Sequence, residues 1–194
     1  MHRLIGFACA CAALAVAGCA TPKGSTAQEK RDYALRMRDA ALAQLYRKKP
    51  GVEALIEKSP GYAVFSNIGA KVFLLSSGHG YGVVVDNGAG RTTYMRMAEV
   101  GVGVGLGLKD FRAVFVFHDR KVLDDFVGSG WEFGAEADAA AKSGDAGAAV
   151  GGSASITPTL RLEGMDVYQL TEAGLALEAT VSGTKYWQDS ELNR

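Results

Sequence analysis

Apolar residues recur along this chain with two different periods, and the change from one to the other divides it. From Gln28 to Lys49 the spacing is helical. At about 100° per residue, Leu35, Leu42, Leu45 and Tyr46 share one face while Arg36, Ala43 and Arg47 lie opposite. Pro50-Gly51 ends this helix, a second short helix is expected over Val52 to Lys58, and Ser59-Pro60-Gly61 breaks the chain again. After Gly61 the period falls to two. Tyr62 to Ile68, Ala70 to Ser76 and Val83 to Asp86 read as strands, Asn87-Gly88 as a tight turn, and Arg91 to Met97 as the returning strand.

Val100 to Lys109 follows, with Gly101, Gly103, Gly105 and Gly107 alternating with Val100, Val102, Val104, Leu106 and Leu108. One face of this strand is an apolar row and the other is bare backbone, which lets a neighbour approach closely. Either Phe111, Phe115, Phe117, Trp131 and Phe133 cover the glycines and complete a core, or the bare face lines a groove for an apolar ligand. Lys109-Asp110 reads as a turn that makes a hairpin of the glycine strand and Phe111 to Phe117. Asp119 to Val127 has helical spacing, stopped by Gly128-Ser129-Gly130. Trp131 to Ala139 alternates apolar residues with Glu132, Glu136 and Asp138, and Lys142 to Gly152 reads as a loop. Strands over Ser153 to Glu163 and Met165 to Leu170, a turn at Glu172-Ala173-Gly174 and a last strand over Leu175 to Ser182 complete the pattern. The expected class is α+β and mainly β: an amphipathic helix and a short helix, then a curled or barrel-like antiparallel sheet with one inserted helix.

The first residues belong to a different pattern. Met1-His2-Arg3 is a short positive region, Leu4 to Ala17 an apolar run, and Val16-Ala17-Gly18-Cys19 closes it with small residues, as a secretory signal peptide does. The run is shorter than the 18 or so residues that span a bilayer. The closing four residues resemble the bacterial lipobox, which implies acylation of Cys19, and Ala20 in place of Asp implies sorting to the outer membrane. Cys9 and Cys11 leave with the signal, so no internal disulfide is expected. The expected organisation is residues 1–18 as signal, 19–27 as a tether, and 28–194 as one domain.

Net charge is zero overall, which argues against a nucleic-acid partner. Its distribution is lopsided. Gln28 to Lys58 carries eight Lys or Arg against five acids, and Asp119 to the end six against thirteen. The glycine run lies inside a strand followed by another strand, so it lacks the strand–turn–helix context of a dinucleotide fingerprint, and no Walker sequence is present. Apart from Cys19, the only soft ligands after the signal are His79 and His118, without zinc-site spacing. The acidic row of Glu132, Glu136 and Asp138 reads as a solvated face and not a calcium site. Ser76, Ser77, His79 and Asp86 lie close in sequence, but no nucleophile elbow is present. No metal, cofactor or enzymatic activity is expected.

Ser59-Pro60-Gly61-Tyr62-Ala63-Val64-Phe65, followed by Asn67-Ile68-Gly69, closely resembles the opening motif of the SYLF domain family. The resemblance continues through Gly78 to Val83, the glycine strand, Val114 to Phe117, Leu123 and Phe126, Phe133-Gly134-Ala135, Val167-Tyr168 and Gly174-Leu175. Ala70-Lys71 departs from the pattern, where relatives commonly keep a glycine. The resemblance implies a lipid-binding module. Eukaryotic members resemble phosphoinositide-binding parts of adaptor proteins, some of which bind actin, while many bacterial members are exported lipoproteins. A periplasmic chain meets no actin, so that role is not carried over. The expected partner is anionic phospholipid, contacted through Arg36, Arg47, Lys48 and Lys49 beside the anchor. The alternative is an interaction protein whose acidic C-terminal half contacts another envelope protein.

Overall fold

The computed structural model describes residues 21–133, 159–162, 164–171, 174–175 and 182–194, with backbone alone described at 69–76, 100–110, 131–133, 159–162, 171, 174–175 and 182–183. Helix α1 (Ala27–Lys48) starts at a capping box. The Glu29 amide donates to Thr26 Oγ1 at 3.2 Å, and Glu29 Oε2 accepts from the Thr26 amide at 3.2 Å. Its buried stripe is Ala34, Met37, Ala41, Leu42 and Leu45, whereas Leu35 and Tyr46 are only half-buried. The inward face is thus turned from the one the large aliphatic residues suggest. Ala34 and Ala41 are small enough to let the helix axis settle close to the sheet. Helix α2 (Gly51–Lys58) follows and buries Val52 and Ile56, one turn apart.

Strands β1 (Gly61–Asp86) and β2 (Arg91–Phe117) are each continuous and pair antiparallel from Gly61↔Phe117 to Asp86↔Arg91. The expected breaks are absent: Ile68↔Asp110 and Gly69↔Lys109 are ordinary rungs. The glycine strand and Phe111 to Phe117 are therefore one strand and not a hairpin. A glycine or a charged pair inside a strand weakens it, but unbroken pairing with a long partner keeps it extended.

Straight, the 26 residues of β1 would span about 86 Å. The strand instead folds back on itself. A Cβ on Gly61 would strike the Val85 carbonyl, one on Gly80 the Ser66 carbonyl, and one on Gly82 the Val64 carbonyl and the Phe65 ring. The hairpin is doubled, with its tip lying over its base. The pairing register shifts between Phe73 and Leu75, where the extra residue falls on the glycine-rich side, between Val102 and Gly105. That irregularity sits near the middle of the hairpin, as expected of a bulge that bends a strand. The tip is tied down by Asn87, whose amide donates to Pro60 O at 3.0 Å and whose Nδ2 donates to Ile56 O at 2.8 Å and Ser59 O at 3.0 Å. The turn spans 87–90 and places Gly90, not Gly88, in the left-handed region at φ 61°.

Helix α3 (Arg120–Gly128) is capped by Asp119, which accepts from the Lys121 amide at 2.6 Å. The remaining strands are β3 (Trp131–Phe133), β4 (Thr159–Leu162), β5 (Met165–Thr171), β6 (Gly174–Leu175) and β7 (Ser182–Gln188). On the edge away from β1, β2 pairs with β7 through Met95 to Gly101 and with β5 through Arg112 to Phe117. The sheet is antiparallel, runs in the order β3-β7-β2-β5-β4, and does not close among the described residues. The α+β, mainly β class holds. Strand β7 lies beyond the expected last strand; among its described side chains Lys185, Trp187 and Gln188 are exposed, Thr184 is half-buried and Tyr186 is buried. The acidic positions Glu136 and Asp138, the loop Lys142 to Gly152 and most of Leu175 to Ser182 lie outside the described residues.

Two cores result. Inside the doubled sheet, Phe65, Phe115, Phe117, Phe126 and Tyr186 interlock at ring separations of 4.7 to 6.1 Å, and α3 closes this side. Outside it, α1 and α2 cover Val64, Val83, Val114, Val116, Tyr168 and Leu170.

Candidate functional site

The cations expected to meet lipid all belong to α1 and its end, and the structure does not gather them into one cluster. Arg36, Arg47 and Lys48 are exposed. Arg36 and Arg47 share a ridge three turns apart, about 16 Å, whereas Lys48 points roughly a third of a turn away. Lys49 caps the helix with its amide on Leu45 O at 2.8 Å, and its ammonium stands 5.0 Å from the centre of the Tyr168 ring. Arg38 is paired with Asp39 at 2.7 Å. Lys30 and Arg31 hold the C-terminal turn: Lys30 meets Glu191 at 2.7 Å, and Arg31 donates to Leu192 O at 2.9 Å and Arg194 O at 3.0 Å. Cys19 lies outside the described residues.

The glycine stripe is described as backbone alone, so neither the covered nor the open reading of Gly101, Gly103, Gly105 and Gly107 falls within the described side chains. Close approach by the backbone is instead visible in β1, at Gly80 and Gly82. Beside them lies a buried polar pair on the inner face. Asn67, 1% exposed, donates its Nδ2 to a Glu99 carboxylate oxygen, while Asn67 Oδ1 has no partner among the described residues. Glu99 and, above all, burial push the nearby Tyr186 phenol far up from its usual value.

A second polar group lies between α1 and the outer face of the sheet. Ser66 and Arg112 are cross-strand partners, so their side chains share that face with Val64, Val114 and Val116. Doubling of the hairpin brings Tyr81 from the other half of β1 onto Ser66. The Tyr81 phenol is in hydrogen-bonding contact with Ser66 and Tyr33, its ring 6.0 Å from that of Tyr33. Burial pushes the Tyr81 phenol well above its usual value, Tyr33 adds to the rise, and Arg112 opposes it. The phenol is therefore protonated at any physiological pH. Arg36 completes the group, its guanidinium carbon 5.9 Å from the centre of the Tyr33 ring. Arg36 is exposed, Tyr33 and Arg112 are half-buried, and Tyr81 and Ser66 are buried between them.

Of these, only Arg36 was singled out by sequence reasoning. The available signal was polarity at the wrong phase: Ser66 and Arg112 occupy positions where the alternation of β1 and β2 calls for apolar side chains.

Among the described side chains, the acids of the C-terminal half are largely engaged. Asp124 and Asp125 pair with Arg120 and Lys121 at 2.9 and 2.6 Å, and Asp166 lies 3.3 Å from His118. Asp86 accepts from both Arg120 Nη atoms at 2.8 and 2.9 Å. Among the described residues, no group of three or more His, Cys, Asp or Glu is gathered as for a metal, and no helix is long and apolar enough to cross a membrane.

Comparison with known proteins gives two findings. The family described as Ysc84, Las17-binding protein actin regulator, matches residues 98–194, half of the chain. Beta cell expansion factor A of Aeromonas veronii is 36% identical over 168 residues, covering 86% of this chain and 60% of that relative. The chain thus spans less than two thirds of the length of the curated relative it matches.

Proposed function

The chain belongs to the SYLF family, and on that premise we propose that it is a phospholipid-binding module of the bacterial envelope, anchored through acylated Cys19 at the periplasmic face of the outer membrane, and not an enzyme. The observation that carries this reading is the character of α1. One side of the helix is seated on the sheet through Ala34, Met37, Ala41, Leu42 and Leu45, while Arg36, Arg47 and Lys48 face solvent. Each cation near an anionic surface contributes about 1 kcal/mol, which falls away within a Debye length of roughly 10 Å. Lys49 adds less, because its ammonium is already on Tyr168.

Flotation of residues 20–194 with vesicles tests this. Binding to phosphatidylglycerol vesicles and weak binding to phosphatidylcholine vesicles is expected, with loss at high salt. Reversal of Arg36, Arg47 and Lys48 to Glu lowers binding, whereas reversal of Asp124 and Asp125 does not. Equal binding to both vesicle types removes the electrostatic basis of the proposal. Membrane fractionation and mass spectrometry of the native N-terminal peptide test the anchor, and an unmodified Cys19 would overturn it.

A further inference from the structure

The turn that closes the hairpin contains Asn87-Gly88. Of the asparagines in the chain, Asn67 precedes Ile68 and Asn193 precedes Arg194, so Asn87 alone is followed by a residue without a side chain. That neighbour opens a reaction that bulkier ones hinder, because glycine lets the main chain fold onto the preceding side chain. The Gly88 nitrogen attacks Asn87 Cγ and loses its proton, ammonia leaves, and a succinimide ring closes. Water then opens the ring at one carbonyl to give aspartate or at the other to give isoaspartate. Both residues are exposed, so water reaches them. Both reacting groups are nonetheless held. Asn87 Nδ2 donates to Ile56 O at 2.8 Å and Ser59 O at 3.0 Å, which draws the carboxamide onto the end of α2. The Gly88 amide is in hydrogen-bonding contact with the Asp86 carboxylate, which Arg120 and the Ala89 amide fix in place. The product cannot take up the same bonds. An ionised carboxylate only accepts, and at position 87 it would face the two carbonyl oxygens that Nδ2 now satisfies.

We propose that Asn87 is a deamidation site gated by docking of the hairpin tip on the turn between α2 and β1, and that its conversion releases the tip irreversibly. While the tip is seated, Cγ cannot swing onto the Gly88 nitrogen. Lifting the tip breaks the bonds to Ile56, Ser59 and Pro60 and frees both groups at once. After hydrolysis the carboxylate repels the carbonyls that held its precursor, and isoaspartate also adds a methylene to the main chain next to the Asp86↔Arg91 rung. Water is the sole co-reactant and ammonia the leaving group. Nothing in this depends on lipid binding.

The test holds the full chain, in neutral detergent micelles, in mildly alkaline buffer with and without urea. Tryptic peptide 72–91, in which Asn87 is the only asparagine, is followed by mass spectrometry. Conversion to aspartate and isoaspartate is expected, slower without urea by about tenfold or more, as for a group that reacts only after two or three hydrogen bonds open. In urea Asn67 and Asn193 should lag behind Asn87. Gly88→Ala should slow the reaction under both conditions; its Cβ would lie 3.6 Å from Arg120 Nη1 and Asp86 Oδ1, an ordinary contact that leaves the tip in place. Asp86→Ala frees the Gly88 amide and should raise the rate without urea. Asn87 unconverted in urea, or converted as fast in Gly88→Ala, overturns the site. Equal rates with and without urea, or a rate unmoved by Asp86→Ala, overturn the gate. Release is read by urea unfolding. Asn87→Ala, which loses the donors, should lower the midpoint, and Asn87→Asp, which adds repulsion, should lower it further. Where Asn87→Asp fails to fold, the converted fraction of the aged parent chain gives the reading. A midpoint equal to that of the unconverted chain overturns the release.

Discussion

Replacing Gly82 with Ala tests the doubled hairpin at its tightest crossing. The added Cβ would stand 2.7 Å from Phe65 Cγ, closer still to Phe65 Cδ1 and against the Val64 carbonyl, where ordinary contacts begin at 3.4 Å. The ring has nowhere to go. Phe65 is 0% exposed, with its ring 4.7 Å from Tyr186 and 5.8 Å from Phe115. The carbonyl belongs to a paired strand and cannot yield without opening Val64↔Val114. Overpacking of this kind costs about 1–3 kcal/mol, and each disturbed ring pair about 0.5–1.5 kcal/mol. Loss of glycine's freedom in the unfolded chain returns about 0.4–1 kcal/mol, so the net destabilisation is about 3 kcal/mol. Urea unfolding followed by far-UV circular dichroism should show a lower midpoint at an unchanged slope. Gly51→Ala is the control, since nothing lies within 4 Å of a Cβ there and α2 begins at that residue. It should leave stability unchanged or raise it by up to about 1 kcal/mol. A Gly82→Ala midpoint equal to that of the parent chain would mean that the two halves of β1 do not meet, and the doubling would be refuted.

Three further outcomes follow from the same contacts. Arg120 and the Ala89 amide hold the Asp86 carboxyl below its ordinary value of 3.8, so the stability it contributes is complete above that value and is lost as pH falls through the lowered one. The stability gap between the parent chain and Asp86→Asn, measured by urea unfolding, should therefore be constant from pH 5 upward and close below about pH 4. Phe126→Ala empties the centre of the inner aromatic cluster and should cost about 3–5 kcal/mol, read by thermal unfolding. Thr26→Ala removes the acceptor of the α1 capping box and should cost about 1 kcal/mol, with faster amide exchange confined to the first turn.

How much of this was readable in advance depends on where the deciding force is local. The two N-terminal helices and α3 were readable because their periodicity and breakers lie within a few residues of one another, as at Pro50-Gly51 and Gly128-Ser129-Gly130, whereas the caps at Thr26 and Asp119 were not singled out. The tip at Asn87 was readable for the same reason. Strand length was not. Gly69 and Lys109-Asp110 look like punctuation in one dimension, and only the pairing of β1 with β2 shows that each is held extended by the residue opposite. Strand β7 escaped because Lys185, Trp187 and Gln188 around Tyr186 give too little apolar alternation to detect. The polar group between α1 and the sheet escaped for a larger reason: Tyr81 reaches Ser66 only because the hairpin is doubled, and the doubling is a tertiary event. The cations of α1 were found, but their grouping was not, since Arg36 and Arg47 share a ridge while Lys48 and Lys49 leave it.

The doubled hairpin also orders the events of folding. Pairing can begin at the 87–90 turn, where only a few residues need be closed, and zip outward rung by rung. The last rung, Gly61↔Phe117, joins residues 56 apart, yet it never requires a loop that large to close at once. The crease must form afterwards, because the tip cannot lie on a base that has not yet paired. The rungs beside the turn, such as Val85↔Thr92, are then expected to form before the contacts of the crossing, such as Phe65 with Phe126.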